Sequence, residues 1–361
     1  MAMVTIVVAT YNRPQSLRYT ISSILRQSYK DWVLLVIGDQ CSGETADLMT
    51  TYDDKRIVYH NLDTRCGEQS GPNSVGFFLA KTKYVAFANH DDIWLQDHLE
   101  RAVKTMEEEG TEFYCAGAAL TTYATDMRTN EQRPVVWEKT PEQRSFEEVY
   151  YYSSVLFEPV SAWVVKRSLL TTIGVWRPAA QVFRTPLVDW LLRAWRAGVS
   201  YHFSPTATVI YCNAEKRGMT NTSEGGALYS NTTCEGRYWL DKFDAWSSDK
   251  VREYIANEEK FVAPYRTWSF FKNAFADKDY AWVFAALLTP DTARVFLETG
   301  WDGFEQASKL CGIKRGQTLA GMLAKRTGEA LQRHSTWKSV AHNAQRQLEG
   351  NQRWRKANYD V

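Results

Sequence analysis

Apolar runs and helical stripes alternate through the first hundred residues. Val4-Thr5-Ile6-Val7-Val8-Ala9 is a short β-branched run of the kind that fills a central parallel strand. Thr10-Tyr11-Asn12-Arg13-Pro14 reads as a turn, with Pro14 opening a helix whose buried face is Leu17, Ile21, Ile24 and Leu25. A second apolar run, residues 32–37, ends in Gly38-Asp39-Gln40-Cys41-Ser42-Gly43. A short helix over 45–50 and a third strand over 57–60 follow. A loop over 65–71 leads to a helix over 75–81, and Tyr84-Val85-Ala86-Phe87-Ala88 makes a fourth strand. Strands alternating with helices predict an α/β domain on a mostly parallel sheet with right-handed crossovers. Three polar loops, residues 10–13, 39–42 and 89–92, then converge at one edge of that sheet.

The pattern loosens further on. Residues 113–122 read as a strand and 126–148 as a polar loop or insertion. Residues 214–236, rich in Gly, Ser, Thr and Asn, read as a long mobile loop, and the chain from 238 onward as mostly helical. Three regions result: 1–110, 111–237 and 238–361.

Composition narrows the function. The 361 residues suffice for a large core and about two domains. A net charge of +1 steers nothing toward nucleic acid, and no nucleic-acid partner is expected. Six cysteines without a C-x-x-C pair argue against a zinc site or disulfide framework and make a reducing cytosol the default. No secretory signal precedes the first strand and no apolar stretch is long enough to span a bilayer, so a cytoplasmic location is expected. Fourteen Trp and nineteen Tyr suit a sugar-stacking surface and equally a large core. Residues 309–356 carry eleven Lys and Arg against Glu329 and Glu349, with a modest amphipathic stripe through Leu319, Met322, Leu323 and Leu331. Such a tail either lies on an anionic membrane, placing the protein at its inner face, or packs on the domain with its basic face solvated.

Candidate chemistry concentrates in Asn89-His90-Asp91-Asp92-Ile93-Trp94. Adjacent carboxylates at a strand's carboxyl end repel each other and favour solvent or a cation. The segment is thus either a metal or phosphate-sugar site, or a solvated turn before a helix starting near Leu95, with Asp92 as its cap. Asp39 has an equally plain reading as a turn residue. Asp189 falls at the start of a helix, where the dipole favours a carboxylate.

Taken together, Thr5 to Arg13, Gly38 to Ser42, residues 67–76 and Asn89 to Trp94 occur in an order and spacing that resemble the nucleotide-binding half of family 2 glycosyltransferases, over about residues 4–215. The resemblance implies a GT-A fold with a mainly helical C-terminal extension. It also implies inverting transfer from a nucleotide-diphospho-sugar, by family habit a UDP-sugar, to a hydroxyl of a glycan or glycolipid. Ala9, Thr10, Tyr11 and Arg13 would line the donor. Asp39 would accept a hydrogen bond from a uracil imide, and Asp91 would hold the divalent cation, Mn2+ or Mg2+, that bridges the diphosphate. Asn89 stands where the family's Asp-x-Asp begins; it can bond a ribose hydroxyl but removes a negative charge. His90 adds a polar contact, or a metal ligand if neutral. Asn73 is carried over from a loop in which Gly71-Pro72-Asn73 replaces the usual Arg-Asn pair. Asp189 corresponds to the base that deprotonates the acceptor, with Val188 in place of the family's preceding acid. Asp92, Trp94 and Trp190 are candidate acceptor contacts, with a place in the core an equal reading for Trp190, and Lys216 and Arg217 are candidates to fold over the diphosphate. A sugar-nucleotidyltransferase would need a Gly-rich loop where this chain has Thr10-Tyr11-Asn12-Arg13. A non-catalytic nucleotide- or glycan-binding domain is the reading that Asn89 and Val188 keep open.

Overall fold

The computed structural model describes residues 2–125, 132–140, 160–178, 186–212, 219–221, 227–229, 235–262 and 344–348. Strands β1 (Val4–Thr10) and β2 (Trp32–Gly38) are buried at every position, which is why they read as unbroken apolar runs. Helix α1 (Pro14–Leu25) connects them, α2 (Gly43–Thr50) leads to β3 (Ile57–Asn61), and α3 (Ser70–Leu79) to β4 (Tyr84–Asn89). These four strands pair in parallel in the order β3-β2-β1-β4. Helix α3 starts five residues before the predicted 75, because Pro72 falls in its first turn, where a missing N–H costs nothing. The helix lies close on the sheet: a Cβ at Gly76 would stand 2.2 Å from Val7 Cγ1.

The second half continues the same sheet. Strand β5 (Ile93–Trp94) pairs antiparallel with the later β9, so the helix predicted near Leu95 waits until α4 (His98–Glu109). Gly110 ends α4 at φ 70°, and the long β6 (Phe113–Thr125) follows. The predicted polar insertion contains a strand: β7 (Gln132–Lys139) folds back antiparallel on the distal part of β6. A single 3-10 turn (Val160–Ala162) precedes β8 (Trp163–Lys166), which lies antiparallel between β4 and β6. Short α5 (Leu169–Thr172) and α6 (Pro186–Arg196) lead to β9 (Tyr201–Tyr211), parallel to β6. Of the nine described strands of this sheet, β1, β2, β3, β4, β6 and β9 run one way and β5, β7 and β8 the other. This is the mostly parallel α/β sheet that the sequence predicts. Its core is aromatic: Phe77, Phe87, Phe113, Trp163, Trp176 and Trp190 pack edge-to-face, with Trp176 and Trp190 stacked.

Within residues 214–236 the structure places a small hairpin, β10 (Met219–Asn221) with β11 (Ala227–Tyr229). Lys216 and Arg217 lie outside the described residues. Helices α7 (Glu235–Lys242) and α8 (Ser248–Val262) open the C-terminal region, and α8 docks on β7 through Arg133 and Glu258, 2.6 Å apart. The basic stretch 309–356 lies outside the described residues except for 344–348. There Ala344 and Leu348 pack on Leu35, Ile37, Val58, Leu62, Val75 and Leu79. Among the described residues no helix is long and apolar enough to cross a membrane.

Candidate functional site

The strand register brings the three polar loops together. Thr10 lies opposite Gly38, and Ala9 opposite Asn89, so the loops after β1, β2 and β4 leave the same sheet edge. They surround a cavity of about 430 Å³. Of the residues singled out from sequence, Ala9, Thr10, Tyr11, Arg13, Asp39, Asn89, His90 and Asp91 line it. Arg65, Gly67, Glu68, Gln69, Pro72 and Tyr211 complete the wall. The resemblance takes in residues 67–76 but carries over only Asn73 from them, and Tyr211 gives no signal in the sequence, since only the register of β9 brings it here.

One end of the cavity is built around Asp39. Its Oδ1 accepts from the Cys66 amide at 2.6 Å and its Oδ2 from the Gly67 amide at 2.9 Å. The carboxylate thus shapes the opposite wall, and its two oxygens offer more acceptor sites than these two amides take. Burial raises the Asp39 pKa, and the two amides, the Cys66 thiol and nearby Arg65 pull it back. The Arg65 guanidinium lies over the Tyr11 ring at 4.0 Å. Two residues here adopt left-handed backbone, Asn12 at φ 47° and Gln40 at φ 59°. Both are held by their side chains: Asn12 Oδ1 accepts from the Ser42 amide at 2.7 Å, and Gln40 Nε2 donates to the Asp63 carbonyl at 3.0 Å.

The other end is charged. Arg13 Nη1 donates to Asp91 Oδ2 at 2.8 Å, and both side chains are over nine-tenths buried. His90 Nε2 lies 3.9 Å from the same oxygen. Asn89 accepts from Gln69 and donates to Asp92 Oδ2 at 2.8 Å. Asp92 also accepts from Ser161 Oγ at 2.5 Å and from the Cys212 amide at 3.1 Å, and its carboxyl pKa is raised by burial and by the Asp91 charge. The two neighbouring carboxylates therefore divide their work. Asp91 faces the cavity, whereas Asp92 ties the turn after β4 to the 160–162 turn and the end of β9.

Three expected acceptor contacts are corrected on this geometry. Asp92 is engaged by three donors and 1% exposed. Trp94 is buried, donates to the Ser161 carbonyl at 2.8 Å and stacks on His98. Trp190 is wholly buried and donates to the Gly174 carbonyl at 2.9 Å. Enclosed rings offer no face to a sugar, so these tryptophans serve packing. Asn73 is buried one position beyond the cavity-lining Pro72, and both atoms of its amide lack a partner. Asp189 sits in the first turn of α6, apart from the residues lining the cavity. Its Oδ2 accepts from Arg193 Nε at 2.8 Å and its Oδ1 from Arg177 Nη1 at 3.4 Å. Arg193 also donates to the Ile173 and Val175 carbonyls, which fastens α6 to the segment before it.

A divalent cation fits this site in one way. Among the described residues no group of three His, Cys, Asp or Glu side chains stands ready to enclose a metal. Asp91 offers one carboxylate in the wall of a cavity roomy enough for a diphosphate. One carboxylate shared with phosphate oxygens and water is a usual arrangement for Mg2+ and similar hard cations.

Residues 5–174 match the model of glycosyl transferase family 2. With the parallel sheet and the cavity at its carboxyl edge, this identifies the stretch as a family 2 glycosyltransferase domain. Two Escherichia coli proteins, the UDP-Glc:alpha-D-GlcNAc-diphosphoundecaprenol beta-1,3-glucosyltransferases WfaP and WfgD, are similar to it. WfaP is 28% identical over 30% of this chain and 43% of its own length, and WfgD 30% identical over 31% and 44%. The chain thus spans less than half the length of these relatives. The crystal structure of S. aureus TarS 1-349 superposes with a TM-score of 0.49 at 13% identity, covering 95% of this chain and 92% of that one.

Proposed function

We propose that this protein transfers a sugar, with inversion, from a UDP-sugar to a hydroxyl of a glycan or glycolipid. The observation that carries the reading is the cavity in which Tyr11, Asp39, Arg13 and Asp91 meet at the carboxyl edge of β1, β2 and β4. An aromatic face and an acidic acceptor suit a nucleobase, and the charged end suits a diphosphate. The two E. coli relatives are named for a UDP-glucose donor and a lipid-linked acceptor, which favours that donor and acceptor class here. Asp91 would hold the divalent cation, Mn2+ or Mg2+, which when bound neutralises charge on the departing diphosphate.

In the reaction the acceptor oxygen bonds to the anomeric carbon from the face opposite the diphosphate. The carbon–oxygen bond to the diphosphate breaks, and the acceptor proton passes to a carboxylate. Asp189 is our candidate for that carboxylate. To act, it must exchange one arginine for the acceptor hydroxyl; Arg177, at 3.4 Å and half exposed, is the looser partner. General-base catalysis contributes roughly 10²–10⁴-fold, so Asp189→Asn should lower kcat by that order while UDP affinity holds. Full transfer by the variant would leave Asp189 with only its structural link to Arg193. The arginine clasp also favours a second reading, a domain that binds the donor without transferring it.

Calorimetric titration of UDP with and without manganese, into wild type and Asp91→Ala, tests the donor site. Manganese-dependent binding lost in the variant supports the reading. Absence of UDP binding under every condition rejects it. Binding without any turnover of UDP-sugars would establish the second reading.

A further inference from the structure

We infer that the C-terminal segment 344–348 positions the Asp39 end of the cavity: Leu348 and Gln347 hold the 62–67 loop where its amides meet Asp39. The inference rests on the donor reading above and goes on to what keeps that end of the site in shape.

One apolar layer lies under the loop. Side chains alternate along β2, so Leu35 and Ile37 point to the same face. Val58 of β3, Leu62, and Val75 and Leu79 of α3 join them there. Ala344 and Leu348 complete the layer, at 1% and 2% exposure. Cys66, half-buried, packs against it. Leu62 and Cys66 bracket Asp63 and Arg65, so the loop is seated on the layer that Leu348 covers. Asp63 makes a polar link as well. Its Oδ2 accepts from Gln347 Nε2 at 3.3 Å, and its carbonyl accepts from Gln40 Nε2 at 3.0 Å. Gln40 follows Asp39 directly and holds a left-handed backbone at φ 59°. The Cys66 and Gly67 amides then close the circuit on the Asp39 carboxylate, at 2.6 and 2.9 Å.

Removing the cover exposes the seat of the loop to water. Its position is set by many small contacts, each weak alone, so losing those from Leu348 widens the range the loop explores. The Cys66 and Gly67 amides then meet Asp39 for a smaller fraction of the time. A ligand that must first order this wall binds more weakly. Docking of 344–348 and binding of the donor therefore strengthen each other by the same factor. The segment acts through the loop, since Arg65 and Gly67 line the cavity and residues 344–348 are not among its lining.

Two measurements on Leu348→Ala separate positioning from bulk stability. Hydrogen exchange of the ligand-free protein reads the Cys66 and Gly67 amides, and calorimetry reads UDP affinity with manganese. Where circular dichroism shows the variant folded, the two amides should exchange about fivefold faster or more, while those of β1 stay protected. UDP should bind about fivefold more weakly or more, the low end of usual coupling between sites. Leu348→Met keeps the volume and should restore both. Gln347→Ala removes the bond to Asp63 from an exposed side chain and should move both readouts the same way, by about twofold. It carries the test if Leu348→Ala does not fold, and no change in either readout then overturns the inference. Exchange that rises equally in β1, or unchanged UDP affinity in a folded Leu348→Ala, also overturns it. The donor reading survives those results, since it stands on UDP–manganese binding by wild type. If wild type binds no UDP with manganese, both fall.

Discussion

Among single residues, His98 shows most clearly how burial sets a chemical property. It is wholly enclosed, bonded through Nδ1 to Thr208 Oγ1 at 2.8 Å and stacked on Trp94, and its Nε2 has no partner. Desolvation pushes its pKa down to about 3. Below the unfolded value of about 6.5, the unfolded chain binds a proton that the folded one refuses. Stability from this residue is therefore complete above that pH and declines as the pH falls toward 3. The expected slope is up to ~1.4 kcal/mol per pH unit. Urea unfolding between pH 7.5 and 5 should show it, and His98→Gln should flatten it. A slope unchanged in the variant would assign the pH dependence to other groups. At the same scale, Asp91 and Asp92 share a sequence context and differ in task because one faces the cavity while the other meets three donors.

For the elements, the closeness of α3 to β1 is the feature that shapes the site. The two pack where only a hydrogen fits at Gly76, and Pro72 at the head of α3 lines the cavity. A valine there would overlap Val7 and force the helix outward. Overpacking of this kind costs about 1–3 kcal/mol, sometimes more. Gly76→Val should lower the urea midpoint by a corresponding amount and weaken UDP binding as Pro72 shifts. An unchanged midpoint would mean that the helix moves freely on the sheet. The turn after β4 is held from both halves of the fold, by Ser161 and by the Cys212 amide, so the acidic loop depends on β9 as much as on β4.

Across the whole molecule, the far end of the chain returns to the beginning. Leu348 and Ala344 cover an apolar face formed by β2, β3 and α3, and Gln347 Nε2 reaches Asp63 Oδ2 at 3.3 Å. Asp63 belongs to the loop that continues into Arg65 and Gly67 of the cavity wall. Leu348→Ala should cost roughly 2–5 kcal/mol, as truncation of a buried leucine does. Chemical denaturation measures it, and a loss below 0.5 kcal/mol would show that the segment is not part of the cooperative unit.

Much of the first four-stranded part of the sheet was legible in the sequence. Its strands are buried on both faces, so each is a continuous apolar run, and the loops between them are marked by Asp, Asn, Gly and Pro. Those loops must meet at one edge once the strands are parallel, and so Tyr11, Arg13, Asp39 and Asp91 could be read together. The tertiary structure decided what alternation alone does not encode. It placed Tyr211 in the wall by register, buried Trp94 and Trp190 in the core, and gave Asp92 to three donors. It also clasped Asp189 between two arginines and brought Arg13 onto Asp91. Each of these depends on a partner many residues away, and the identity of such a partner is fixed by packing rather than by local pattern.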